Sequence, residues 1–176
     1  MAYRQWALDN NDKYPAAVST ANGGAKEWVE TGAVYTSFLV MSNELNTPKI
    51  LICPQEANPM RAIANTFSPA ALANTGWQAI PFTNNNNLSY FVGLDADEAQ
   101  PQQILSGDDN FLVDGVKPSA GVLLLRTNSV LAWTKERHVT YGNIGLADGS
   151  VQGFTTPLLN KALVNTGAPT NRLAMP

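Results

Sequence analysis

Charge is scarce in this 176-residue chain: Asp, Glu, Lys and Arg together make up 14% of it, against a usual quarter. The 11 Lys and Arg residues form no cluster, and the net charge is −3 with a pI near 5.0. Electrostatic attraction to a nucleic-acid backbone is therefore not expected. No apolar run approaches the 18 or so residues that cross a bilayer, and no signal peptide is visible. There is a single histidine, His138, which excludes the usual multi-histidine zinc sites. Neither a G-x-S-x-G elbow nor a glycine-rich loop opening a helix occurs, so the common signatures of hydrolases and nucleotide binders are missing.

The single cysteine, Cys53, has three readings. It is a small buried residue, one half of a disulfide whose partner lies elsewhere, or a reactive thiol. The third needs a base, and His138 is the one imidazole available. Neither residue sits in a recognisable nucleophile motif, so no catalysis is expected.

What the chain has in quantity is apolar and uncharged polar residues. Hydrophobic residues reach 44%, enough for a core, and the length suits a single domain over residues 1–176. Asn, Gln, Thr and Ser supply the polarity, as suits an exported surface.

Tyr3, Trp6 and Ala7 recur at i, i+3, i+4 and predict a short helix over residues 1–10, stopped by Asn10, Asn11 and Pro15. A short strand is expected at Glu27-Trp28-Val29 and a second helix over 34–45. Ile50-Leu51-Ile52, between prolines, reads as a covered strand. Residues 55–86 read as the least structured part, with one or two helical turns within Met60 to Phe67. Strands are expected at Leu88 to Leu94 and Gln103 to Leu105, then a turn-rich excursion from Gly107 to Gly115. Val122 to Leu125 and Val130 to Thr134 read as edge strands. Thr156 as cap, Pro157 and Gly167 bracket a last helix, after which the chain is extended. The fold class is α+β.

The most legible stretch runs from Arg137 to Phe154. Ile144 and Leu146 alternate with Gly145 and Ala147, Asp148-Gly149 suits a type I′ turn, and Ser150 to Phe154 returns with Val151 opposite Leu146. His138 stands at the mouth of this hairpin, where it is expected to anchor the strand to neighbouring loops. Asp148 is expected to bond the backbone two residues on.

A histidine, nine residues and Asp-Gly in a C-terminal hairpin (His138, Asp148, Gly149) resembles the processing-associated motif of prepilin-like proteins, relatives of type IV pilins and type II secretion pseudopilins. Trp6 to Pro15 is similar to the segment where the long helix of that family enters the globular head, and Ile52-Cys53-Pro54 and Tyr90 to Asp95 fall where the family has similar strands. The resemblance implies a pilin-like fold, with the remnant of an N-terminal helix packed on an antiparallel sheet. It implies a non-catalytic filament subunit whose partners are other pilin or pseudopilin subunits. It further implies a periplasmic or extracellular head, made as a precursor inserted in the inner membrane. The leader and the roughly 20-residue apolar helix of such precursors are not in this sequence, so the chain is expected to be a head cut inside that helix, touching membrane only through the missing part. Cys53 would then find its partner upstream. Pseudopilins also hold calcium, which gives Asp95, Asp97, Glu98, Asp108 and Asp109 two readings: a calcium site or a solvated acidic loop. The alternative function is a secreted glycan- or ligand-binding module using Trp28, Trp77 and Trp133.

Overall fold

The structure is a computed structural model and describes residues 1–68 and 78–176. It is a mixed helix and sheet fold, with short helices around a six-stranded antiparallel sheet. The first helix, α1 (Ala2–Leu8), buries Trp6 and Ala7. It ends where the Asn10 side chain donates to the Trp6 carbonyl at 2.8 Å and Asn11 and Asp12 turn left-handed. Tyr3 on this helix meets Tyr14 and Phe38 edge-on, with ring centroids 5.9 and 6.0 Å apart.

Several local expectations change. Glu27-Trp28-Val29 is helical, within α2 (Lys26–Glu30), where the Glu27 carboxylate accepts the Thr20 N–H at 2.7 Å. The helix expected over 34–45 is two helices, α3 (Tyr35–Leu39) and α4 (Ser42–Leu45). Thr36 and Val40 are β-branched and weaken helical continuity. Phe38 and Met41 both enter one core cluster. Ile50-Leu51-Ile52 is not a strand. Pro48–Leu51 is a 3-10 turn begun by Pro48, with the Thr47 hydroxyl accepting the Lys49 N–H at 3.4 Å. No helical turns form between Met60 and Phe67. Those residues are pinned by backbone hydrogen bonds from Ala62 to Asn86 and from Asn65 to Ile80.

The strands are β1 (Tyr90–Gly93), β2 (Ile104–Asp108), β3 (Phe111–Val113), β4 (Gly121–Arg126), β5 (Leu131–Trp133), β6 (Tyr141–Leu146), β7 (Val151–Thr155) and β8 (Thr170–Met175). The large sheet runs β4-β8-β1-β2-β6-β7, and β3 pairs with β5 in a separate ribbon. The expected excursion from Gly107 to Gly115 is therefore mostly strand. Gly107 belongs to β2, paired with Phe91 and Ile144, whose side chains fill the space a side chain would need, the Ile144 Cδ1 lying 2.5 Å from an added Cβ. Of the two expected edge strands, β4 is an edge of the sheet, whereas β5 belongs to the ribbon.

Both faces of the sheet are covered. Val92 and Ala174 point into a cluster with Trp6, Val29, Phe38 and Met41. Phe91, Leu173 and Met175, their neighbours in sequence, point into the opposite cluster with Phe111, Trp133, Leu159 and Leu163. The second cluster is roofed by the β3–β5 ribbon and by α5 (Thr156–Asn165). Thr156 is the first helical residue and not the cap: its hydroxyl accepts the Trp133 N–H at 3.3 Å, while Thr155 stands at the cap position. Asn160 of α5 pairs with Leu131 as a strand residue would, accepting its N–H at 2.8 Å and donating to its carbonyl at 2.7 Å.

Candidate functional site

The β6–β7 hairpin is present, in a different register and with a different turn. Val151 faces Gly145, not Leu146. Asp148 is absent from the residues with positive φ, while Gly149 has φ +85°, so the connection is not type I′. The Gly149 N–H bonds to the Leu146 carbonyl and the Leu146 N–H to Ser150. This is a type I turn followed by a left-handed glycine, the three-residue hairpin solution. Asp148 acts as expected: its Oδ1 accepts the Ser150 N–H at 2.8 Å, and bonds from Ser150 hold the carboxyl below the ordinary range.

The turn is a clasp on the first helix. A Cβ on Gly149 would lie 2.8 Å from Arg4 Cγ, so the glycine is what lets α1 lie against the hairpin tip. Tyr14, just beyond the helix, donates its hydroxyl to the Ala147 carbonyl, and Arg4 pairs with Glu98. Beside this clasp an apolar groove of about 200 Å³ runs between the helix start (Met1, Tyr3, Arg4) and β2, β6 and β7 (Leu105, Leu146, Val151).

The far end of β6 carries His138. Its backbone is left-handed, as are those of Val139 and Thr140, with φ of +52°, +46° and +67°. Three consecutive non-glycine residues in that region, two of them β-branched, are held there against their preference. The His138 N–H donates to Gln55 Oε1 at 3.0 Å. This turn folds the imidazole back so that Nε2 lies 3.3 Å from Cys53 Sγ and 3.9 Å from Asp108 Oδ2. The three ligand atoms lie within 4.8 Å of one another. Cys53 is buried, its N–H bonded to Ser89 Oγ at 3.0 Å. Asp108, buried at the end of β2, accepts the Asn143 N–H at 2.7 Å. Thiol and carboxylate approach the same ring nitrogen, whereas a thiol–imidazole–acid relay places them on opposite nitrogens. The arrangement is one of converging donors.

Below it lies a buried charge cluster that sequence reasoning did not find. Asp109 bonds both Arg61, at 2.5 Å, and Arg137, and Glu56 lies 3.3 Å from Arg137 and 3.8 Å from Arg61. Burial works to raise the Glu56 carboxyl, but the Ser89 hydroxyl, the Asn58 N–H and the two guanidiniums outweigh it and hold the group below its usual value. Burial likewise pushes the Tyr90 phenol up to about 12, with the charge of nearby Asp108 adding to it. No local signal announces such a cluster, since its members are scattered from position 56 to 137.

The five carboxylates read as a calcium site do not gather into one. Asp95 binds Arg172, with contacts of 2.6 and 2.8 Å, Asp97 binds Lys13 at 2.8 Å, and Glu98 binds Arg4. Asp109 serves the two arginines, and Asp108 faces Cys53 and His138. Each loop carboxylate already has a cation, so this set does not fit a calcium ion, which needs six or more oxygens around one point. Among the described residues, the one convergent group of three metal-ligating side chains is Cys53, Asp108 and His138. Of the three tryptophans of the glycan reading, Trp133 is buried, Trp28 is 48% exposed on α2, and Trp77 lies outside the described residues. No helix among the described residues is long and apolar enough to cross a membrane.

Compared with protein-family models, with curated proteins and with solved structures, the chain matches none.

Proposed function

We propose that this chain is the globular head of a filament subunit of the type IV pilin or type II secretion pseudopilin class, working by assembly and not by bond chemistry. The observation that carries the reading is the docking of α1 on the sheet, clasped by the Asp148-Gly149 turn of the same hairpin that carries the His138 motif. A helix of seven residues is far below the length that is stable alone in water. Its order comes from Trp6 and Ala7 in the core and from the clasp. Such a junction transmits load: force applied along the helix reaches the sheet through buried side chains and the hairpin tip. The groove beside Met1 is apolar, as suits packing against a further helical segment or a neighbouring head. The head then stands on the outer, periplasmic or extracellular side, with other copies as its partners.

The test uses the complete coding region, tagged at the C-terminus and expressed in the native host with and without its prepilin peptidase. Processing that depends on the peptidase, with tagged subunits in sheared surface filaments or in an envelope pseudopilus, is the expected result. A product that is never cleaved and stays monomeric outside the membrane fraction ends the proposal.

A further inference from the structure

We propose that Cys53, Asp108 and His138 form a three-ligand site for a zinc-class divalent transition metal, with a fourth position open to solvent on the His138 side. In the buried cluster, the two guanidiniums of Arg61 and Arg137 are matched by Asp109 and Glu56. Asp108 has no share in them: among the described residues its one ion-pair partner is His138, at 3.9 Å. Its side chain is only 2% exposed. A carboxylate so deeply buried calls for a positive partner, and at 3.9 Å the imidazole is beyond hydrogen-bond distance.

Geometry supplies the next step. Tetrahedral zinc with a thiolate at about 2.3 Å and nitrogen and oxygen at about 2.0–2.2 Å sets ligand–ligand edges of about 3.4–3.6 Å. The sulfur–nitrogen and nitrogen–oxygen separations here are 3.3 and 3.9 Å, which bracket that range without an ion in place. All three donors lie within 4.8 Å of one another, so closing the set takes side-chain adjustments of at most about 1.2 Å. Chemistry then selects the ion. A thiolate and an imidazole favour borderline and soft metals over calcium or magnesium. Hydrogen bonds also fix the three segments: Asn143 donates its N–H to the Asp108 carboxylate, and the Ser89 hydroxyl and the Gln55 amide oxygen accept the backbone N–H groups of Cys53 and His138. His138 is 22% exposed on its side chain, which leaves a way in for the ion.

Binding would exchange the Cys53 thiol proton for the metal and fix His138 with its proton on Nδ1 and its lone pair on Nε2. It would also join three segments far apart in the chain: the loop after Pro48–Leu51, the end of β2 and the left-handed turn before β6. The site is thus a clip on the His138 end of the hairpin, opposite the clasp at Gly149. It stands or falls independently of the filament reading, because its test asks nothing about assembly.

The experiment titrates the reduced protein, stripped with a chelator, with Co(II) and then Zn(II). Expected are one equivalent of cobalt with tetrahedral d–d absorption and a thiolate-to-cobalt charge-transfer band, displacement of both by zinc, and a rise in melting temperature with zinc. Cys53→Ser should abolish the charge-transfer band, and His138→Gln and Asp108→Asn should each weaken binding at least about 10-fold. Should a variant not fold, wild-type protein still decides: zinc must protect Cys53 from iodoacetamide. Unprotected alkylation, octahedral cobalt without a sulfur band, affinity unchanged in Cys53→Ser or His138→Gln, or a melting shift produced by calcium and not by zinc would each overturn the site.

Discussion

Gly149 shows how much one position can carry. Its φ of +85° is open to glycine and costly for other residues, and the space above its Cα is occupied by the Arg4 side chain. Gly149→Ala therefore meets two penalties, a left-handed backbone with a Cβ and a 2.8 Å approach to Arg4 Cγ. Arg4 can swing away, so the backbone penalty dominates, and a loss of about 1–2 kcal/mol is expected in urea unfolding. An alanine variant as stable as wild type would refute the clasp. The Asp-Gly turn is legible because its own hydrogen bonds close within four positions, whereas its register and the approach of Arg4 to Gly149 are not. Cys53, Asp108 and His138 were not legible as a group. Composition alone pairs Cys53 with His138 and groups Asp108 with the other carboxylates, because nothing in a sequence reports that positions 53, 108 and 138 share a corner.

Among the elements, β8 carries a role its sequence conceals. Thr170 to Met175 was readable as extended, yet it lies between β4 and β1, paired along six positions with the first and two with the second. Leu173 and Met175 fill one core cluster and Ala174 the other. Deleting residues 170–176 removes an interior strand and detaches β4, so the truncated chain should lose cooperative unfolding and near-UV circular dichroism. A truncated chain that melts cooperatively within a few degrees of full length would show that the sheet does not depend on its last strand. The 3-10 turn at Pro48–Leu51 teaches the converse. Ile50-Leu51-Ile52 has strand composition, but a strand needs a partner, and the six strands of the sheet are all drawn from other segments.

Carboxylates whose ionised form is favoured lie both at the surface of the molecule and in its buried charge cluster. Glu56, Asp97 and Asp148 all lie below their ordinary values, Asp97 through Lys13 first and Asp148 through Ser150 first, and Glu27 is drawn down to about 2 by the Thr20 N–H first. A group whose pKa is lower folded than unfolded stabilises the fold above its unfolded value, and that contribution is lost as pH falls through the folded one. The ordinary values here are 4.5 for Glu and 3.8 for Asp. Melting temperature in the presence of a chelator should accordingly change little between pH 7 and about pH 5, then fall steadily below about pH 4. A melting temperature at pH 3 equal to that at pH 7 would contradict this assignment of charge.

What the residues determined unaided is what lies within a few positions of its cause. The β6–β7 hairpin, the strands around Tyr90, Ile104 and Val122, the helix between Pro157 and Gly167 and the short amphipathic helix at the start all follow from side-chain period, turn chemistry and capping. Tertiary structure alone decided which strands are neighbours, where β8 inserts, that Arg61 and Arg137 share Asp109, and that Cys53 and Asp108 meet His138. The physical reason is that a turn or a cap is settled by the local backbone. A buried charge or a strand pairing is settled by desolvation and hydrogen bonding among distant segments, 28 positions apart for Arg137 and Asp109 and 85 for Cys53 and His138, which only the folded chain brings into contact.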